Sequence, residues 1–456
     1  MVEKNYRLKT FLINFNVKRL ISGILLVSAF WLYAFEAFAL NIISDDESEI
    51  FLQKIIQPLF KAAGVRYDSN NIYIVNDPSL NAFVGDGNNL FIHTGTIINA
   101  GSADELSGVI AHETGHIQGG HIMRMKLKAQ GLSEATLAST IAAGAAALLT
   151  GRSDVAVAIA LGSQSSAITN MTIYQTGEER SADEAAVNLL NKTGQSPAGI
   201  LAFMKRISRQ NTLNGIEETP YFRTHPVTRE RISFLENAVR NSPYQRNNKS
   251  GGEFSRVQAK LFAYLEAPKN TFRKYPLGNK SVPARYAQAI AYFKMLQFKQ
   301  ALQLIDGLIK EEPKNPFFRE VKAQIYLETG EIKAAKAEYK EAVKLLPASA
   351  LLQASYAQTI LEDNPSAQEI QEAINILHKS LIRKPSGFAW LLLSRAYGLK
   401  GDDAYAAYAA AEYSIRIGAF DTAKQQANQA LRKSGANKQL KIKTQDLLSR
   451  LSELEK

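Results

Sequence analysis

His112-Glu113-Thr114-Gly115-His116 reads H-E-x-x-H, and that spacing suits metal-assisted hydrolysis. Residues four apart on a helix differ by about 40° of rotation and one turn of rise, so two imidazoles there can grip one ion. Glu113, beside His112, then points at the open face of the ion, where a base for a water is needed. The chain has six histidines and no cysteine. With thiolates excluded, zinc here must use His and carboxylate ligands. The flanks favour a helix. Ser102 and Glu105 have the spacing of a capping box, and Leu106, Val109, Ile110 and Ile117 form an apolar stripe.

Two histidines leave zinc short of a protein ligand. His121 lies about 140° from His116 if the helix continues, so it reads as a structural or supporting residue and not a ligand. Glu179 and Asp183 are one turn apart on a second helical stretch. One can ligate zinc while the other accepts the N–H of a ligating imidazole; Glu179 is the favoured ligand. Glu178 points about 100° away and reads as an acid at a helix start. His225 precedes Pro226, with Arg229 and Arg231 following, and so sits on extended chain. It can approach the open side of the zinc, stabilising an oxyanion or blocking water.

These residues need a scaffold. Residues 42–63 read as an amphipathic helix. Residues 71–75, 78–84 and 90–94 read as strands, the last two around a turn at 85–89. A strand edge carrying Asn81, Ala82 and Phe83 beside the metal helix predicts a place where an extended peptide can add by main-chain hydrogen bonds. Residues 135–168 are rich in Ala, Gly, Leu and Ile, with Arg152 and Asp154 in the middle. They read as a packed helical hairpin, with a mobile lid over the site or a hairpin that touches membrane as the functional alternatives. Residues 175–190 and 197–208 read as further helices.

At 456 residues the chain predicts two or three domains. The polar, Gly-rich stretch 241–253 predicts a linker. Beyond it Pro313/Pro347, Ala301/Ala335 and Tyr292/Tyr326 repeat at the 34-residue tetratricopeptide period. Ala373 and Pro385 continue the pattern after an insertion near 363–366, and a degenerate repeat falls near 418–423. Such helix pairs stack into a solenoid that binds peptides or proteins. The formal charge of +11 comes without a basic run interleaved with aromatics, so nucleic acid is not an expected partner. A peripheral contact with an anionic membrane is compatible with it. Residues 1–39 combine a basic start, an apolar run and Ala37-Phe38-Ala39, the pattern of a secretory signal; an uncleaved inner-membrane anchor is the alternative. The expected architecture is therefore a signal peptide (1–39), an α+β zincin-type metallopeptidase domain (40–240), a linker (241–253) and an all-α tetratricopeptide solenoid (254–456).

Together, residues 76–83, His112–His116, Glu179–Asp183, Thr224-His225-Pro226 and the proline-marked repeats resemble the zinc metallopeptidases that include the CAAX prenyl proteases. The closest likeness is to a periplasmic branch bearing tetratricopeptide repeats. The resemblance implies one zinc per chain on His112, His116 and Glu179, with Glu113 as base and Asp183 orienting a ligating histidine. It implies that His225 approaches the zinc as a switch holding the enzyme latent, and that the Ala-rich segment acts as a plug. The implied role is envelope quality control. Unfolded or partly assembled outer-membrane β-barrel proteins would be the substrates, and the barrel-assembly machinery a partner. A reading from another class is a chaperone or adaptor whose protease site is latent.

Overall fold

A computed structural model describes residues 41–68, 71–124, 176–214, 220–245 and 251–454. The expected signal (1–39) and the Ala-rich segment (135–168) lie outside the described residues. Among the described residues, no helix is long and apolar enough to cross a membrane.

The N-terminal half is a four-stranded sheet with helices packed on it. Strands β1 (Ile42–Ile43), β2 (Ile72–Val75), β3 (Ala82–Val84) and β4 (Leu90–His93) lie in the order β1-β2-β4-β3. β2 and β4 run parallel; the outer pairs are antiparallel. Two expectations need correction. Residues 42–43 are strand, because Ile42 and Ile43 pair with Val75 and Ile74. Helix α1 (Asp46–Ala63) starts only where the Asp45 side chain accepts from the Ser48 N–H. The strand expected over 78–84 is confined to 82–84. Before it, the Asp77 carboxylate accepts from the Ser79 N–H at 2.8 Å and holds a turn.

Helix α2 (Thr94–Asn99) leads into α3 (Ala103–Gln118), which carries the H-E-x-x-H residues. Ser102 caps α3 by accepting from the Glu105 N–H. The expected capping box is only half formed, since the Glu105 carboxylate turns instead to the Gly101 N–H and to Arg206. Then come α4 (Thr176–Lys192), α5 (Ala198–Asn214), α6 (Pro220–Thr224) and α7 (Arg229–Asn241). Leu52, Ile56 and Leu59 of α1, Ile74, Ile92, and Leu106 and Ile110 of α3 share one buried core with Leu189 and Leu190 of α4.

The linker is shorter than expected. Gly251 to Glu253 already belong to α8 (Gly251–Leu265). Phe254, Val257 and Leu261 of α8 are buried in the same core as Phe51 and Leu52, so the first helix beyond the linker is packed into the peptidase half. After α9 (Pro268–Lys274), helix pairs stack in sequence. They are α10 (Val282–Lys294) with α11 (Phe298–Glu311), α12 (Pro316–Glu328) with α13 (Ile332–Leu345), and α14 (Ala350–Glu362) with α15 (Ala367–Arg383). Next are α16 (Gly387–Lys400) with α17 (Asp403–Arg416) and α18 (Phe420–Lys433) with α19 (Lys438–Leu454). Small alanines let the pairs approach: Ala301, Ala335, Ala373, Ala407 and Ala423 are all buried. Part of the insertion expected near 363–366 lengthens α15 to 17 residues, against 14 in α13.

The solenoid also grips the acidic start of α1. Lys260 lies 2.5 Å from Asp45 and 3.1 Å from Glu320, Arg256 lies 2.5 Å from Glu47, and Lys384 lies 2.6 Å from Glu49. Ser349 donates to Asp46. Acids in the first turn already suit the helix dipole; here they also join the two halves.

Candidate metal centre

α3 presents His112, Glu113 and His116 inward, and all three are fully buried. α4 runs against it and supplies Glu179 and Asp183, also buried. Close approach depends on Gly115. A Cβ there would lie 2.7 Å from the Ala182 carbonyl oxygen and 3.1 Å from its Cα. Any larger residue in the middle of the motif would push the two helices apart.

Among the described residues, His112, His116, Glu179 and His225 each offer a donor atom, all within 4.8 Å of one another. His112 Nε2 and His116 Nε2 are 3.1 Å apart. Glu179 lies 3.5 Å from the first through Oε2 and 3.2 Å from the second through Oε1. Zinc–nitrogen and zinc–oxygen bonds of about 2.0–2.1 Å in a tetrahedron put ligand atoms about 3.3 Å apart. The donor set and its spacing fit zinc.

Around this trio the support is dense. Asp183 Oδ1 sits 2.9 Å from His112 Nδ1, leaving Nε2 inward. Arg231, from the first turn of α7, donates to Asp183 through Nε at 2.6 Å and Nη2 at 2.9 Å. Its Nη1 lies 2.5 Å from Glu179 and also donates to the Pro226 carbonyl at 2.8 Å. One guanidinium thus ties together both carboxylates and the loop bearing His225. The sequence reading named Arg231 without giving it a role. A signal existed: a cation in a first helical turn opposes the dipole, so it needs a specific anion. His121, set aside as a ligand, places Nδ1 2.7 Å from His116 Nδ1.

His225 reaches the site from the end of α6. Its N–H donates to the Tyr221 carbonyl, and its ring lies against the Tyr221 ring at 4.6 Å. Its Nδ1 is 2.9 Å from Glu179 Oε1 and its Nε2 3.5 Å from Glu113 Oε1. Glu113 is buried, and among the described residues neither of its carboxylate oxygens finds a hydrogen-bond partner. Such a group is costly unless something else uses it. Burial pushes the Glu113 carboxyl up, against the opposing pull of His225 and His112. Burial acts the same way on Glu179, but His225, His112 and His116 outweigh it and hold that carboxyl well below the usual range. Two carboxylates one helix apart are thereby tuned in opposite directions, one toward holding a proton and one toward holding a charge.

Asn81, Ala82 and Phe83 lie at the outer strand of the sheet, and β3 packs on α3. They are not equivalent. The Asn81 carbonyl accepts from His93 N–H and Thr96 Oγ1, and the Asn81 N–H donates to Thr96 Oγ1. The ladder closes again at Gly85 N–H to Asn89 O. By alternation, Ala82 and Val84 turn their main-chain groups away from β4 toward the edge. Phe83 stacks on Phe91.

A sequence profile of peptidase family M48 matches residues 47–239. The chain is 23% identical over 340 residues to the beta-barrel assembly-enhancing protease of Yersinia pestis, covering 73% of this chain and 68% of that protein. For the Escherichia coli (strain K12) protein of the same name the figures are 22% over 334 residues, 72% and 67%. The metalloprotease LoiP of Escherichia coli (strain K12) is 25% identical over 168 residues, 37% of this chain and 61% of that one. Among solved structures, MamA matches 37% of this chain and 87% of its own at 19% identity and a TM-score of 0.29. Yeast Tom70 matches 89% and 71% at 11% identity and a TM-score of 0.31. Residues 47–239 are a peptidase family M48 domain, and the chain is a metallopeptidase with a helical-repeat solenoid.

Proposed function

We propose that the protein is an exported zinc endopeptidase that clears misassembled outer-membrane proteins. The observation that carries the chemistry is a buried Glu113 carboxylate with no hydrogen bond among the described residues, beside three donors spaced for zinc. His112, His116 and Glu179 hold the ion, and Asp183 fixes the His112 ring. Zinc, when bound, supplies the Lewis acidity that activates a water and polarises a peptide carbonyl. Glu113 takes the proton of the attacking water and returns it to the departing amine nitrogen. The substrate lies along β3, main chain to main chain at Ala82 and Val84. The solenoid, or its contact with the barrel-assembly machinery, recruits the substrate.

The substrate class rests on the names of the relatives, and the location on the secretory pattern of residues 1–39. Glu113→Gln, expressed in the native envelope as a trap, is expected to retain outer-membrane β-barrel proteins; a trap enriched only in other envelope proteins contradicts this substrate class. N-terminal sequencing of the same material is expected to start near residue 40, whereas a periplasmic face reached with an intact N-terminus replaces the signal with an anchor.

His225 favours a second element in this reading, latency. It lies 2.9 Å from Glu179 and 3.5 Å from Glu113, where it stands in the approach to the base. His225→Ala is expected to cleave casein faster than wild type. Slower cleavage makes His225 a helper of the reaction and removes the switch.

A further inference from the structure

We propose that His121 is the positioning residue for the zinc-ligating ring of His116; this rests on the zinc site proposed above. Each of the two motif histidines turns Nε2 to the centre and Nδ1 outward. The Nδ1 of His112 meets the carboxylate of Asp183. The Nδ1 of His116 meets His121 Nδ1 at 2.7 Å, and both rings are buried. An imidazole that gives its Nε2 lone pair to a metal carries its proton on Nδ1, so it must donate there. His121 Nδ1 is the acceptor, which puts the proton of His121 on its own Nε2.

The chain is broken to make this contact. A continuous helix would carry His121 about 140° around from His116. Instead α3 ends at Gln118, and Gly120 takes φ +64, the left-handed region that favours glycine. The chain turns back and the His121 ring folds over Gly119. A Cβ on Gly119 would lie 2.4 Å from His121 Nε2 and 2.8 Å from its Cδ2. Gly119 itself has φ −71 and ψ −10, a conformation any residue adopts, so the space and not the backbone calls for glycine there. Two consecutive glycines thus have separate duties, one to turn the chain and one to seat the ring. The two ligands end up supported differently, His112 by an anion and His116 by a neutral ring.

The test is zinc affinity of the full chain, measured by chelator competition, together with the visible spectrum of the cobalt-substituted protein. Loss of a hydrogen bond that orients a ligand costs on the order of 10–100-fold in metal affinity. His121→Ala is expected to fall in that range and to alter the cobalt spectrum, and His121→Gln, which keeps an acceptor, to recover part of the affinity. Gly119→Ala is expected to weaken zinc as well, because it evicts the ring. In a His121→Ala background it should cost nothing more. If His121→Ala does not fold, Gly119→Ala and His121→Gln carry the test. A wild-type chain that holds zinc no more tightly than these variants overturns the proposal alone. A wild-type chain that binds no zinc overturns the zinc site and this proposal with it.

Discussion

The Arg231 side chain connects three residues at the site, Asp183, Glu179 and Pro226. It is buried and bonds two buried carboxylates, Asp183 in a two-pronged geometry and Glu179 through Nη1. Removing one partner of a buried charge network leaves the others uncompensated, at about 3–5 kcal/mol. Arg231→Ala is therefore expected to lose about that much in urea unfolding. Arg231→Lys keeps the charge but loses the planar fork, and should recover only part of it. Equal stability of Arg231→Ala and wild type would show that the network adds nothing. At this scale the sequence was informative where spacing is local. The pairs His112/His116 and Glu179/Asp183 each lie one helical turn apart, so their shared face can be read directly. The bonds of Arg231 to Glu179 and Asp183 span 52 and 48 residues, across the C-termini of three helices, and nothing local encodes them.

The elements matter through how closely they approach. α3 and α4 approach backbone to backbone at Gly115, against the Ala182 carbonyl oxygen and Cα. Overpacking a closed contact costs about 1–3 kcal/mol. Gly115→Ala is expected to lower the urea midpoint by that amount and to reduce the zinc content, since it moves Glu179 relative to His112 and His116. Unchanged zinc and midpoint would contradict the close-contact account. The helices themselves were legible because their apolar periods are long. β1 was not: two residues carry no period, and only pairing with β2 defines them. The half-formed cap at Ser102 has the same origin. Its Glu105 spacing was right, but Arg206, distant in sequence, competes for the carboxylate.

On the scale of the whole molecule, the peptidase half and the solenoid are not beads on a string. α8 completes the peptidase core, and the acids of α1 seat against Arg256, Lys260 and Lys384. Nothing in the sequence near those acids marks this contact, because their partners lie hundreds of residues away. The contact has a pH signature. Burial pushes the Glu320 carboxyl up to about 7 against the pull of Lys260, and the nearby Asp45 charge adds to the rise. The unfolded value is near 4.3. Between the two the folded state binds more protons, so this group makes stability fall as pH rises from about 4 to about 7. Thermal midpoints of Glu320→Gln should fall less over that range than those of wild type. Parallel profiles would remove Glu320 from the account. A solenoid anchored this way is held against the start of α1.

All three scales bear on the proposed zinc site and on the buried Glu113 carboxylate beside its donors. The most direct measurement is the zinc-to-chain ratio of Glu113→Gln, taken alongside its cleavage of casein. The account predicts one zinc per chain, as in wild type, with cleavage abolished. Cleavage at the wild-type rate with zinc in place would contradict it.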